Sequence, residues 1–293
     1  MTWTPSNTST LEAPGTHPVA ARLEPQSVRV VRPVKRRVGL RDVWAGRQVI
    51  GILAGRDFKA KYKQSLLGPI WLVFQPLALL IAFFIAFRNL ANVQPGVPYS
   101  VFALVGLSAW AFFQASMTIG AASIISNLTL VRFTPCPRFA FPVAGVIASL
   151  PSWVVTTAAA LVAAVVTGTL SPRALLLPFA IAWLFLLTLG FVALAASVSV
   201  RYRDVLSVLP FLLQIGVFLA PVGYPLAQLG TTARGVVELN PLTGLIEAWR
   251  WMIIDGYPAT SRAVVYSLVI TVLVVAAGWR VFTRVETTMA DVI

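Results

Sequence analysis

Arg56-Asp57-Phe58-Lys59-Ala60-Lys61-Tyr62-Lys63 places four cations and one acid within eight residues. Such a run suits electrostatic chemistry. Its ammonium and guanidinium groups attract an anionic lipid headgroup or an acidic partner surface. Directly after it, Gly68-Pro69-Ile70-Trp71 leads into an uncharged apolar stretch. A basic run abutting an apolar one belongs at a membrane surface, where the first part stays in water and the second enters lipid.

Other reactive groups are sparse. The only histidine is His17 and the only cysteine is Cys136, so neither a His/Cys metal site nor an internal disulfide is expected. No Gly-Lys dipeptide occurs, which excludes a Walker A phosphate loop, and no Gly-x-Ser-x-Gly elbow is present. The apolar segments contain no Asp, Glu, Lys or His. Ion-coupled pumps need an ionisable group at membrane depth, so a self-powered pump is not expected. The sequence predicts no catalytic residue, metal or cofactor in this chain.

The remaining polar residues cluster between apolar segments. Arg132 and Arg138 flank Pro135, Cys136 and Pro137, and Arg201-Tyr202-Arg203-Asp204 forms a second short turn. Both fit topology-setting charge, with Asp204 in a salt bridge, or contact points for a cytoplasmic motor. Glu247 and Arg250 stand three apart, the spacing of a local helical ion pair. Aromatic residues make up 11% of the chain. Many of them, including Trp71, Phe74, Trp110 and Phe113, lie inside apolar segments. They suit lipid-facing packing, or a channel wall on which the C–H faces of sugar rings stack without being gripped by charge.

The elements that must position these residues are membrane helices. The chain is 58% hydrophobic and 11% charged, against about 25% charged for soluble domains. An all-α polytopic membrane protein is predicted. Spans are expected at about 70–87, 99–125, 141–168, 174–200, 205–221 and 263–282. The net charge is +13, and twelve of the 23 Lys and Arg precede the first span. With the N-terminus inside, 18 cations fall on inner segments and five on outer ones, which predicts both termini cytoplasmic. The excess is therefore read as topogenic charge rather than as a nucleic-acid surface. Residues 1–39 read as a disordered cytoplasmic tail without a signal peptide. About 40–63 reads as one interfacial amphipathic helix with Leu40, Val43, Trp44, Ile50, Leu53, Ala54 and Phe58 on its apolar side. Between Pro221 and Arg262 the chain is too long and apolar for a loop, and a pair of re-entrant helices on the outer side is expected.

Arg56-Asp57, Lys59, Lys61-Tyr62-Lys63-Gln64, Leu67-Gly68, Trp71 and Pro76 together resemble the permeases of ABC-2 type exporters. The branch they resemble exports cell-surface polysaccharides such as O-antigen, capsule, teichoic acid or galactan. Pro137-Arg138, Tyr202-Arg203-Asp204, Pro221 with Tyr224, and Asn240-Pro241 with Glu247 and Arg250 follow in that family's order. The resemblance covers roughly 40–290 of a transmembrane domain read as 40–293, and the long tail departs from it. It implies a homodimer in a bacterial inner or plasma membrane, working with two copies of a separate ATPase that bind ATP and Mg. The substrate would be a lipid-linked polysaccharide. Arg56, Asp57, Lys59, Lys61, Tyr62, Lys63, Arg132, Arg138, Arg201, Tyr202, Arg203 and Asp204 would receive the motor or admit the lipid head. Trp71, Phe74, Trp110 and Phe113 would line the path. Pro221, Tyr224, Asn240, Pro241, Glu247 and Arg250 would form an outer gate. Two alternatives stay open at this point: an ABC-2 exporter of drugs or small lipids, and a membrane enzyme acting on lipid-linked sugars.

Overall fold

The computed structural model describes residues 40–62, 68–133, 136–258 and 261–292. The tail 1–39, Lys63 and Gln64 to Leu67 lie outside the described residues, as do the side chains of Tyr62 and Arg132. The described residues are helical, apart from turns and one isolated bridge between Leu170 and Ile254.

The basic segment forms two helices, α1 (Leu40–Ala45) and α2 (Arg47–Tyr62), interrupted at Gly46. Ile50, Leu53 and Ala54 are buried. Their i, i+3, i+4 spacing makes one stripe, which packs on α6 (Ala140–Ala148) beside Phe141 and Val143. Trp44 and Ile52 are each 72% exposed. The segment expected as one helix is thus two, α1 and α2, with a single turn residue at Gly46 between them, and Trp44 lies off the stripe that packs on α6.

Among the described residues, five helices are long and apolar enough to cross a membrane. The first is α3 (Trp71–Phe83), which continues as a π-helical stretch, Phe84–Leu90. Only Phe83 of α3 is buried. The second, α4 (Tyr99–Ala122), is buried continuously from Val101 to Trp110. A helix apolar on every side belongs at the centre of a bundle, and α4 touches helices all around it. After α5 (Leu128–Phe133), the third span runs through α6 and α7 (Leu150–Val166) with a break at Ser149. The fourth includes α8 (Leu177–Arg201), and the last is the N-terminal part of α12 (Ser261–Val292).

The apolar helix α9 (Val205–Leu219) has 15 residues. At 1.5 Å per residue it reaches about 22 Å, short of the roughly 30 Å hydrocarbon core. It stops where Ala220 turns extended ahead of Pro221. Two further helices follow, α10 (Thr231–Glu238) and α11 (Pro241–Ile253). Asn240 accepts a hydrogen bond from the Leu242 N–H and Pro241 occupies the first turn, so α11 starts on a side-chain cap and a preset φ. Below, the end of the bundle carrying α2 is the near end, and that carrying α10 and α11 the far end.

Small residues let the helices approach closely. A Cβ on Gly278 of α12 would lie 2.6 Å from the Gly190 carbonyl oxygen of α8. One on Gly145 of α6 would lie 2.7 Å from the Gly120 Cα of α4. Interhelical hydrogen bonds reinforce the crossings: Trp183 Nε1 donates to Thr271 Oγ1 at 2.8 Å, and the Ser199 hydroxyl to the Ala121 carbonyl at 2.9 Å. Gly278→Val is expected to force backbones apart and destabilise by about 1–3 kcal/mol. Heating the detergent-solubilised protein and measuring the monodisperse fraction checks this. Gly235→Ala, with open space around its Cβ, should behave as the parent.

Candidate functional site

A groove with a cavity of ≈ 550 Å³ lies between α3 and α9, with α4 as its floor. Its α3 side is a stripe recurring every three to four residues, from Trp71 through Phe74 and Phe83 to Phe87. Sixteen helical residues separate the ends of that stripe, or about 24 Å. Trp71 and Phe74 meet edge to face at 5.3 Å, while the Phe83 and Phe218 rings lie nearly parallel at 6.5 Å toward the far end. Trp110 rises from the floor with its indole backed by α9, where a Cβ on Gly216 would lie 2.7 Å from the ring. Among the described residues, no ionisable side chain lines the cavity. Of the aromatic residues expected on a path, Trp71, Phe74 and Trp110 come together here. Phe113 does not: it is not among the residues that line the cavity, and its ring meets Phe191 edge-on at 5.6 Å.

At the far end the sequence understated one residue. Arg250 is fully buried and Glu247 is 2% exposed, with Arg250 Nη1 3.1 Å from Glu247 Oε1. The i,i+3 pair is therefore a core ion pair. Arg250 Nη2 donates to the Val222 carbonyl at 2.7 Å and Nε to the Phe102 carbonyl at 3.4 Å. The guanidinium also sits 3.5 Å over the Phe102 ring, a cation–π contact. Tyr257 donates from its hydroxyl to the Glu247 carboxylate at 3.2 Å. Burial, opposed by Arg250 and reinforced by Glu247, pushes the Tyr257 phenol above its ordinary range, so it remains a donor. Gly106 leaves room for this cluster, since a Cβ there would lie 2.7 Å from Arg250 Nη2.

The same cluster holds the turn after α9. Pro221 and Val222 are buried. The Tyr99 hydroxyl donates to the Gly223 carbonyl at 3.1 Å and the Tyr224 hydroxyl to that of Phe218 at 2.8 Å. Asn240 caps α11 and reaches the Leu219 carbonyl at 3.4 Å. All six expected gate residues thus lie in the turn or on α11 and its cap. Tyr99, Phe102, Gly106 and Tyr257 were not anticipated.

The near end holds the basic residues. Arg56 pairs with Asp57 at 2.7 Å and donates to Asn127 Oδ1 at 2.6 Å, tying α2 to the turn after α4. Asn127 in turn donates to the Ser123 carbonyl at 2.7 Å. Arg138 donates to the Glu286 carbonyl at 2.6 Å, joining the loop before α6 to α12. Lys59 and Lys61 are exposed, as are Arg201, Tyr202, Arg203 and Asp204. Among the described ion pairs, none includes Asp204. Burial pushes the Cys136 thiol up, which leaves it less reactive at neutral pH.

Residues 48–254 match the profile of the ABC-2 type transporter family. The chain belongs to that family. Among its relatives is the O-antigen export system permease protein RfbA of Klebsiella pneumoniae, 23% identical over 83% of this chain and 93% of the relative. The protein of the same name from Myxococcus xanthus is 28% identical over 72% and 82%. The polysialic acid transport protein KpsM of Escherichia coli is 22% identical over 80% and 92%. The ABC-2 profile spans α2 to α11, and so includes the groove and the Arg250 cluster except Tyr257.

In this ABC-2 subunit, Arg250→Met removes the guanidinium beside the buried Glu247 carboxylate, expected to cost about 3–5 kcal/mol. The double variant Arg250→Met with Glu247→Gln should recover part of that loss. A double-mutant cycle on thermal unfolding in detergent measures the difference.

Proposed function

We propose that this chain is the membrane subunit of an ATP-driven exporter that moves a lipid-linked polysaccharide out of a bacterial cell. The observation that carries this reading is the charge-free aromatic groove, held open between α3 and α9. A polymer that must keep moving needs contacts favourable enough to admit it and weak enough to release it. Aromatic faces meet sugar C–H surfaces in that way. The export of O-antigen and polysialic acid named for the relatives supports the same substrate class.

In this reading residues 1–39 form a cytoplasmic tail and 40–293 the transmembrane domain. The near end faces the cytoplasm, as the distribution of Lys and Arg supports. The α9 helix completes six crossings with help from the turn that follows it, and α10 and α11 re-enter from outside. Two copies face each other, and their grooves make one path. Two copies of a separate ATPase carry Mg and ATP and bind beneath. Their stroke reaches α2 and the 126–140 and 201–204 segments, and the bonds of Arg56 and Arg138 pass it to α4 and α12. Each nucleotide state then favours one of two arrangements. Lys59, Lys61 and Lys63 draw in the anionic head of the lipid carrier. The Arg250 cluster makes the far-end turn one rigid gate.

Pull-down of the tagged chain from mild detergent is expected to recover a stoichiometric small ATPase. Deleting the chain should empty the cell surface of one glycan and leave its lipid-linked form inside. A homo-oligomer without ATPase, together with an unchanged cell surface, would overturn the reading. Lys59→Gln, Lys61→Gln and Lys63→Gln combined should reduce export several-fold, and unchanged export would remove the headgroup role.

A further inference from the structure

The groove wall has no charge, but it is not wholly apolar. Gln75 of α3, Gln114 of α4 and Gln214 of α9 line the same cavity, one from each helix that builds it. Each is the sole carboxamide between residues 71 and 88, 99 and 122, and 205 and 219 respectively. Among the described residues, none of the three side chains is engaged in a hydrogen bond with the protein. A carboxamide presents two N–H donors and a carbonyl acceptor, the pattern that pairs with two neighbouring hydroxyls. Gln75 adjoins Phe74 and lies one helical turn from Trp71, and Gln114 lies one turn from Trp110. Gln75 therefore has exposed aromatic planes beside it on its own helix, and Gln114 stands next to the buried Trp110 that closes the floor.

A lipid tail would gain nothing from the amides, and an anionic ligand would find no cation in the wall. A sugar ring uses both parts: its C–H face lies on an aromatic plane while its hydroxyls reach an amide. The cavity of ≈ 550 Å³ falls within the roughly 300–1,000 Å³ usual for small-molecule sites. We propose that Gln75, Gln114 and Gln214 form a sugar-reading subsite, hydrogen-bonding the ring hydroxyls of the glycan segment stacked on the exposed faces of Trp71 and Phe74, with the buried Trp110 closing the floor beneath. This rests on the reading that the groove carries glycan, and it identifies the side chains that distinguish a sugar from a hydrocarbon.

The test uses the full chain in the bacterium that carries it. Gln75→Leu, Gln114→Leu and Gln214→Leu are made singly and together, alongside the three Gln→Asn variants. Surface glycan, intracellular lipid-linked glycan, co-purified ATPase and cross-linking between two tagged copies are measured for each. The triple Leu variant is expected to keep its ATPase and its cross-link, lower surface glycan at least tenfold, and accumulate the lipid-linked form inside. Asn, which keeps the amide, should recover export that Leu does not. Gln214 is exposed, so Gln214→Leu alone keeps the test open if the triple variant does not accumulate, and it should still lower export. Wild-type export from the Leu variants would overturn the proposal and point to a hydrocarbon passenger. Loss of the cross-link would overturn it too, assigning the amides to pairing between copies. If the parent chain itself recovers no ATPase and its deletion leaves the surface unchanged, the exporter reading fails instead.

Discussion

One buried guanidinium organises the far half of this molecule. A cation removed from water is tolerated only where acceptors replace its hydration, and Arg250 finds them on three separate pieces of chain. Glu247 lies on its own helix, Val222 in the turn after α9, and Phe102 near the start of α4. If any of these withdraws, the buried guanidinium loses one of the acceptors that stand in for water. Hydrophobic packing alone would let α11 slide on α4, because one apolar contact is much like the next. The directional bonds of Arg250 permit a single register.

Against that fixed far end, the bundle is unevenly packed. Close crossings at glycine join α4 to α6 and α8 to α12, and hydrogen bonds from Trp183 and Ser199 add direction to them. By contrast α3 buries Phe83 alone, and α9 only Leu209 and Leu213. The two loosely packed helices are the walls of the groove, and the best-packed helix is its floor. A path that must widen and narrow is well served by that division, since the moving parts are those with the fewest contacts to lose.

The sequence was legible wherever a property is local. Long apolar runs marked five spans to within a few residues, the stop before Pro221 was visible, and Asn240-Pro241 announced the start of α11. Local reading also explains the misses. Arg250 sits among tryptophans on a short helix, which reads as a membrane surface. Two of its partners are backbone carbonyls, 28 and 148 residues away, and these leave no mark in a sequence. The three glutamines were single letters in three separate apolar runs, and only the fold makes them neighbours. The break at Gly46 left no mark either, because glycine is also common inside apolar helices of membrane proteins. Phe113 and Trp110 are both buried, and the pocket between α3 and α9 decides which of them lines it.

The exposure of α3 carries one more consequence. A helix with so few contacts inside its own chain is oriented in part by what lies outside it, including the thickness of the surrounding lipid. An apolar helix longer than the local hydrocarbon layer tilts, and one shorter thins the layer around itself. Tilting α3 swings the Trp71 stripe relative to α4, whose position the core determines. The width of the groove is therefore set jointly by the chain and by membrane thickness, and the same protein would present a different aperture in short-chain and long-chain lipid.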